Sequence, residues 1–341
     1  METIDTVVVT HEQFYIAHFK IMSRDQEVTE AAVADLFDGY EPVVEDTEER
    51  ECIAKITEAV ELANSRYLEK AVKVITPLAE SRSSIAQLIL GSFYEALDDF
   101  DQAKRWYRRS HDQGNPTAAY KLALAVERGG TTDSETAESG ALMYEAANAG
   151  DAAAQFYLGD GLRGLVEQDP DLAGDAAHWF LLAAEQGHVR AQFALGQFYL
   201  NGTGVDRDMD AALHWFHLAA FQGHSKAQYY LGFAHLMGSG VTRDSSLAIR
   251  WYKRAARQGH NGAQQNLAIM IDQGIGTPRD PFSAYVIKSI PSEITDREDE
   301  VIDEISRAQQ RTIGDSLTAE QITQAEMIAR RWTIGDPLPI R

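Results

Sequence analysis

A glycine followed by histidine returns every 36 residues, at Gly187-His188, Gly223-His224 and Gly259-His260. Spacing that regular means one structural unit is being copied. Gly114-Asn115 and Gly150-Asp151 extend the series upstream, at intervals of 36 and 37 residues. A unit of this length cannot bury an apolar face by itself, so the copies must lean on one another.

Within each copy the pattern is helical. After the glycine come Ala154-Gln155…Leu158-Gly159, Ala191-Gln192…Leu195-Gly196…Tyr199, Ala227-Gln228…Leu231-Gly232 and Ala263-Gln264…Leu267-Ala268, which we term helix A. A glycine turn follows (Gly202-Thr203-Gly204, Gly238-Ser239-Gly240, Gly274-Ile275-Gly276), and then helix B, with Ala212…Trp215-Phe216…Ala219-Ala220 and Ala248…Trp251-Tyr252…Ala255-Ala256. Small residues such as Gly196 and Ala219 alternate with large ones such as Tyr199 and Trp215, so facing helices can approach closely while the rings fill the gaps. Asp208 or Asp210, and Asp244 or Ser245, are caps for helix B; Asn115-Pro116 places a cap beside an N1 proline. Upstream, Ala86-Gln87…Leu90-Gly91…Tyr94 and Ala103…Trp106-Tyr107 repeat the theme without the glycine turn, and residues 51–80 read as one more degenerate pair. In the last copy Ala268 replaces the helix A glycine and Ile287 stands where Trp251 stood, so the register is expected to decay there.

The combined pattern A-Q-x-x-L-G-x-x-Y, G-x-G-V, A-x-x-W-[YF]-x-x-A-A and Q-G-H resembles the Sel-one-like repeat family, a branch of the tetratricopeptide superfamily. The resemblance is clearest over residues 114–290 and absent before about residue 45. It implies an all-α, right-handed α/α superhelical solenoid of about seven helix pairs. The expected layout is an acidic, partly helical extension over 1–45 with two short helices within 10–38, degenerate pairs over 46–113, full repeats over 114–290, and capping helices and tail over 291–341. The stretch from Leu317 through Trp332 resembles the polar closing helix of such arrays. The same resemblance implies a scaffold or adaptor that binds another protein in a groove, a form common in bacteria.

Charge narrows the partner. With 52 acidic and 31 basic residues the net charge is −21, which repels phosphate backbones and anionic lipid. Nucleic acid and membrane are therefore excluded as expected partners. Residues 1–60 carry 15 acidic and 4 basic residues, and Glu41 to Glu51 reads as a solvated linker able to fold back on basic positions of the groove. No apolar run reaches the roughly 20 residues of a bilayer span, and the first twenty residues lack a leader pattern, so the expected location is cytoplasmic.

Catalytic chemistry finds little to use. The single cysteine, Cys52, reads as a small apolar residue rather than a nucleophile. His214 and His217 share a helix face but supply only two ligands, so no metal or cofactor is expected. The glycine turns join two helices, whereas phosphate loops follow a strand. His188, His224 and His260 recur once per copy, which favours a structural role; a hydrolase or small-molecule enzyme using them is the alternative. Some secreted members of the resembled family are disulfide-rich and linked to β-lactam chemistry, and this chain lacks their cysteines. The expected protein is not an enzyme.

By the same resemblance helix A lines the groove. The positions two before each leucine are Tyr120, Phe156, Phe193 and Tyr229, and neighbouring projections are Arg163, Arg190, Gln197, Lys226 and Phe233. The four rings either anchor an apolar segment of the partner or pack between adjacent A helices. A basic cluster, Arg250, Lys253, Arg254 and Arg257 with Arg243 nearby, reads as a solvated outer face or as a docking patch for an acidic protein.

Overall fold

Four of the A helices start at a side chain that accepts from a free backbone N–H group, and the residue after the repeated glycine supplies it. Asn115 accepts from the Ala118 N–H (3.2 Å) and Asp151 from Ala154 (2.8 Å). In the later copies histidine takes that place: His224 Nδ1 accepts from Ala227 (3.3 Å) and His260 Nδ1 from Ala263 (3.2 Å). Helix B is capped by Asp99, Thr132, Asp208, Asp244 and Asp280, which settles the choice at both expected positions.

The computed structural model describes residues 47–129, 132–290 and 310–339. Residues 1–46, including the expected helices within 10–38, lie outside the described residues. Seven antiparallel helix pairs follow in order: α1 (Thr47–Asn64) with α2 (Leu68–Glu80), α3 (Ser84–Ala96) with α4 (Phe100–His111), α5 (Pro116–Gly129) with α6 (Asp133–Asn148), α7 (Ala152–Leu165) with α8 (Leu172–Glu185), α9 (Val189–Asn201) with α10 (Met209–Phe221), α11 (Ser225–Met237) with α12 (Ser245–Arg257), and α13 (Asn261–Gln273) with α14 (Pro281–Lys288). The closing helix α15 (Ala319–Arg331) packs on α14 and buries Ala325 and Ala329. Among the described residues there is no strand. The architecture is an all-α solenoid of helix pairs.

The chain divides into two compact units, one up to His188 and one from Val189 onward. In the first, buried side chains run from Ile56 on α1 to Ala184 on α8, and in the second from Val189 on α9 to Leu338 in the tail. Two details differ from expectation. Thr47 to Glu51 is the opening of helix α1 rather than linker. Nor does the register decay at the seventh pair, because Ala268 and Ile287 are fully buried in its core.

The glycine turns are turns in the strict sense. Gly238 and Gly274 end α11 and α13 in the left-handed conformation, with φ of 74° and 69°. In the first unit's shorter turns Arg66, Arg82 and Asp98 adopt the same positive φ without glycine.

A second device ties successive repeats together. The glutamine of each Ala-Gln pair is buried and donates to the last carbonyls of the preceding helix B: Gln87 to Ala79 (2.9 Å), Gln155 to Ala147 (3.0 Å), Gln228 to Ala220 (3.1 Å) and Gln264 to Ala256 (3.4 Å). Its carbonyl in turn accepts from the glutamine in the next turn, as in Gln186 to Gln155 (2.8 Å) and Gln258 to Gln228 (3.0 Å). One amide therefore serves two turns. Gln228→Leu removes the side-chain donor to the Ala220 carbonyl and the acceptor of the Gln258 amide, and is expected to cost about 2 kcal/mol in urea unfolding; a change indistinguishable from zero would contradict this role.

Candidate functional site

Three of the four ladder residues are engaged with the repeat's own histidines. Phe156 lies flat on His188 at 4.7 Å, Phe193 on His224 at 4.4 Å and Tyr229 on His260 at 4.8 Å between ring centroids. Phe193 also meets Phe216 and Tyr230, and Tyr229 meets Tyr252 and Tyr230. Phe193 is 8% exposed, while Tyr120, Phe156 and Tyr229 are half-buried and keep an accessible edge. One ring face is thus spent on packing.

The polar projections differ from copy to copy. In the first unit Arg163 is exposed and paired with Asp160 one helical turn before it. In the second unit Arg190 is exposed, Gln197 and Lys226 are half-buried, and Phe233 stands 44% exposed on α11. Arg190 and Lys226 lie close enough to His224 to act on its ionisation. Burial first, then Lys226, Arg190 and His260, push the His224 pKa down to about 4. The imidazole is therefore neutral near pH 7, which its Nδ1 must be to accept the Ala227 N–H.

That double engagement explains the histidines. At one repeat position Asn115, Asp151, His224 and His260 all cap helix A, so the shared requirement is an acceptor rather than an acid or base. The ring adds a surface for the preceding aromatic to stack on. His214 and His217 sit against Trp215 and Trp251, and among the described residues no group of three or more metal-ligating side chains forms. Cys52 is half-buried and packs against the α1–α4 core. A cavity of about 470 Å³ opens beside the closing helix, lined by Tyr285, Gln310, Arg311, Gly314, Asp315 and Ile322. It contains none of the sequence-predicted site residues.

Among the described residues no helix is long and apolar enough to cross a membrane. What sequence reasoning missed was the glutamine tie and the exposure of Phe221 on α10, which is 72%. The Ala-Gln repetition was visible; its partners, some thirty residues away, were not.

Comparison with known proteins places this architecture. The Sel1 repeat model matches residues 84–115, 116–151, 152–188, 189–224, 225–260 and 262–285, together more than half of the chain. An uncharacterised protein of Neisseria meningitidis is 30% identical over 151 residues, which is 44% of this chain and 31% of that protein. The rat DAP3-binding cell death enhancer 1 is 28% identical over 185 residues, covering 43% of this chain and 36% of its own length. The yeast chitin synthase regulator SKT5 is 33% identical over 121 residues, 34% of this chain and 17% of its own. The chain thus matches about a third or less of these relatives' lengths. The crystal structure of a Sel1 repeat protein from Oxalobacter formigenes superposes with a TM-score of 0.55 at 24% identity, covering 71% of this chain and 99% of that one. Sel1 repeats generally serve as protein–protein interaction scaffolds. The helix pairs, their capped starts and glycine ends, and the six matched segments agree: the chain belongs to the Sel1 repeat family.

Proposed function

We propose that this chain is a cytoplasmic, non-catalytic scaffold that captures a partner protein in the groove lined by its A helices. One observation carries the reading. The recurring letters of the repeat are consumed by caps, ties and ring packing, while the projecting positions of helix A change character from copy to copy, from Arg163 on α7 to Arg190 and Gln197 on α9 and Lys226 and Phe233 on α11. Variation on a fixed frame is how repeat proteins suit one surface to one partner. Within the second unit, Arg190 and Lys226 in an acidic chain favour a partner segment with carboxylates, and Phe233 offers an apolar anchor on the same helix as Lys226. Two relatives, one named for binding DAP3 and one for regulating chitin synthase, accord with work done through other proteins.

The test uses exposed residues, because alanine at Phe156, Phe193 or Tyr229 would remove packing along with binding. The full chain captures its partner from a lysate of the source cells, and hydrogen exchange is then compared between free and bound protein. The reading predicts slowed exchange in Val189–Asn201 and Ser225–Met237, and loss of capture in an Arg190→Glu/Lys226→Glu/Phe233→Ser variant that melts like wild type. Capture unchanged in that variant would overturn it.

A further inference from the structure

The B helices carry an unusual exposed strip in the second unit. On α10, His214, His217, Leu218 and Phe221 occupy one helical stripe; Leu218 is 37% and Phe221 72% exposed, the latter the highest value among the large apolar side chains described. The Phe221 ring is nevertheless held in place. It stands edge-on to Trp251 at 5.9 Å and stacks along His217 at 6.1 Å, and His217 itself meets Trp251. An apolar ring that is both held and open to solvent is a platform rather than a frayed end.

Exactly one repeat on, at the same four stripe positions of α12, stand Arg250, Lys253, Arg254 and Arg257. The Arg254 guanidinium lies over Trp251 at 4.8 Å, so the cationic stripe and the aromatic platform share that indole. In a chain with 52 acidic residues, none of these four cations makes an ion pair among the described residues. Elsewhere cations do find carboxylates: Lys121 and Arg128 meet Glu95, and Arg108 meets Glu138. Four adjacent cations without counter-charge, bordering a held phenylalanine, form a surface whose complement is acidic with an apolar anchor.

We propose that the α10–α12 face docks an acidic segment of a partner protein, its apolar anchor on Phe221 and Leu218 and its carboxylates on Arg250, Arg254 and Arg257. This goes beyond capture by the A helices and adds a second surface built from B helices. The long-range field of a chain at −21 opposes a nucleic acid at the same place, whereas a short acidic segment carries few charges against that field.

The probe is a fluorescein-labelled synthetic peptide with aspartates and glutamates around a leucine pair, titrated into the full-length protein, with a lysine-substituted peptide as control. The expected result is binding of the acidic peptide alone, weakened by about tenfold or more in Arg250→Glu/Arg254→Glu/Arg257→Glu and also in Phe221→Ser. All four residues are exposed, and thermal melting verifies that each variant stays folded. The Arg190→Glu/Lys226→Glu/Phe233→Ser variant should bind the peptide as wild type does, which separates this surface from the A helix surface. Equal affinity in the α10 and α12 variants would overturn the proposal, as would a matching loss in the A helix variant. Displacement of the peptide by a single-stranded RNA oligonucleotide would reassign the face to nucleic acid, and binding that appears only after deletion of residues 1–46 would reassign it to the chain's own acidic segment; either result also overturns it.

Discussion

Gly196→Val is expected to lower the unfolding free energy by about 3 kcal/mol, at the upper end of the cost of overpacking a core. A Cβ at Gly196 meets Phe216 ring carbons at 2.6 and 2.7 Å and the Ala212 carbonyl at 3.2 Å, and the Phe216 ring is only 2% exposed. Glycine in mid-helix normally costs about 1 kcal/mol relative to alanine, so this position accepts that loss to let a ring through. The other pairs show the same bargain: Gly91 with Tyr107, Gly159 with Phe180 and Gly232 with Tyr252, each leaving under 3 Å for a Cβ. Where the equivalent helix B position is not aromatic, helix A has alanine, as in Ala123 with Met143 and Ala268 with Lys288. A Gly196→Ala/Phe216→Met double substitution copies the Ala123/Met143 pair. It should be more stable than the sum of the two single losses predicts, by about 1 kcal/mol or more. Strict additivity would show that the glycine and the ring are not matched.

The second large effect is acid-dependent. His224 titrates near 6.5 when unfolded and is pushed to about 4 in the folded protein by burial and then by Lys226, Arg190 and His260. Its lowered pKa means the unfolded chain binds the proton more readily, so the stability His224 contributes is complete above pH 6.5 and drains away as pH falls toward 4. Over that window the loss is about 3 kcal/mol. Protonation also removes the Nδ1 acceptor that caps α11. Many carboxylates titrate in the same range, so the informative quantity is the difference between wild type and His224→Asn, whose amide keeps a cap without titrating. Urea unfolding at pH 7 and pH 4 should show the variant losing about 3 kcal/mol less than wild type. Equal losses would remove His224 as the cause.

Much of this was legible in the amino-acid sequence, for a physical reason. Period-36 recurrence of Gly-His, and the same register in Gly114-Asn115 and Gly150-Asp151, define a unit whose helices and turns follow from local rules, so about seven pairs and a few caps, two of them as alternatives, could be read from the sequence. The capping role of His224 was within reach too, since Asn115 and Asp151 hold the same place. Less legible was anything that depends on which residues meet across a repeat. Gln186 reaches Gln155 over 31 positions, and nothing in the helical period names that partner. The candidate site shows the same limit: spacing projected Phe193 on α9 and Phe233 on α11 alike to the groove side, yet Phe193 is 8% exposed against a histidine and Phe233 44% exposed. Nor does the pattern separate Phe221 from its buried neighbour Phe216; only the packed helices do.

The account rests on a division of labour between repeated letters that hold the stack and variable projections that hold the partner. The most direct test measures two quantities, urea midpoint and affinity for the captured partner, in two variants. His224→Ala/His260→Ala should lose stability while keeping affinity at a temperature where it is folded, and Arg190→Glu/Lys226→Glu/Phe233→Ser should lose affinity with its midpoint unchanged. The reverse pattern, with binding lost alongside the histidines at intact stability, would contradict the account and return those imidazoles to chemistry.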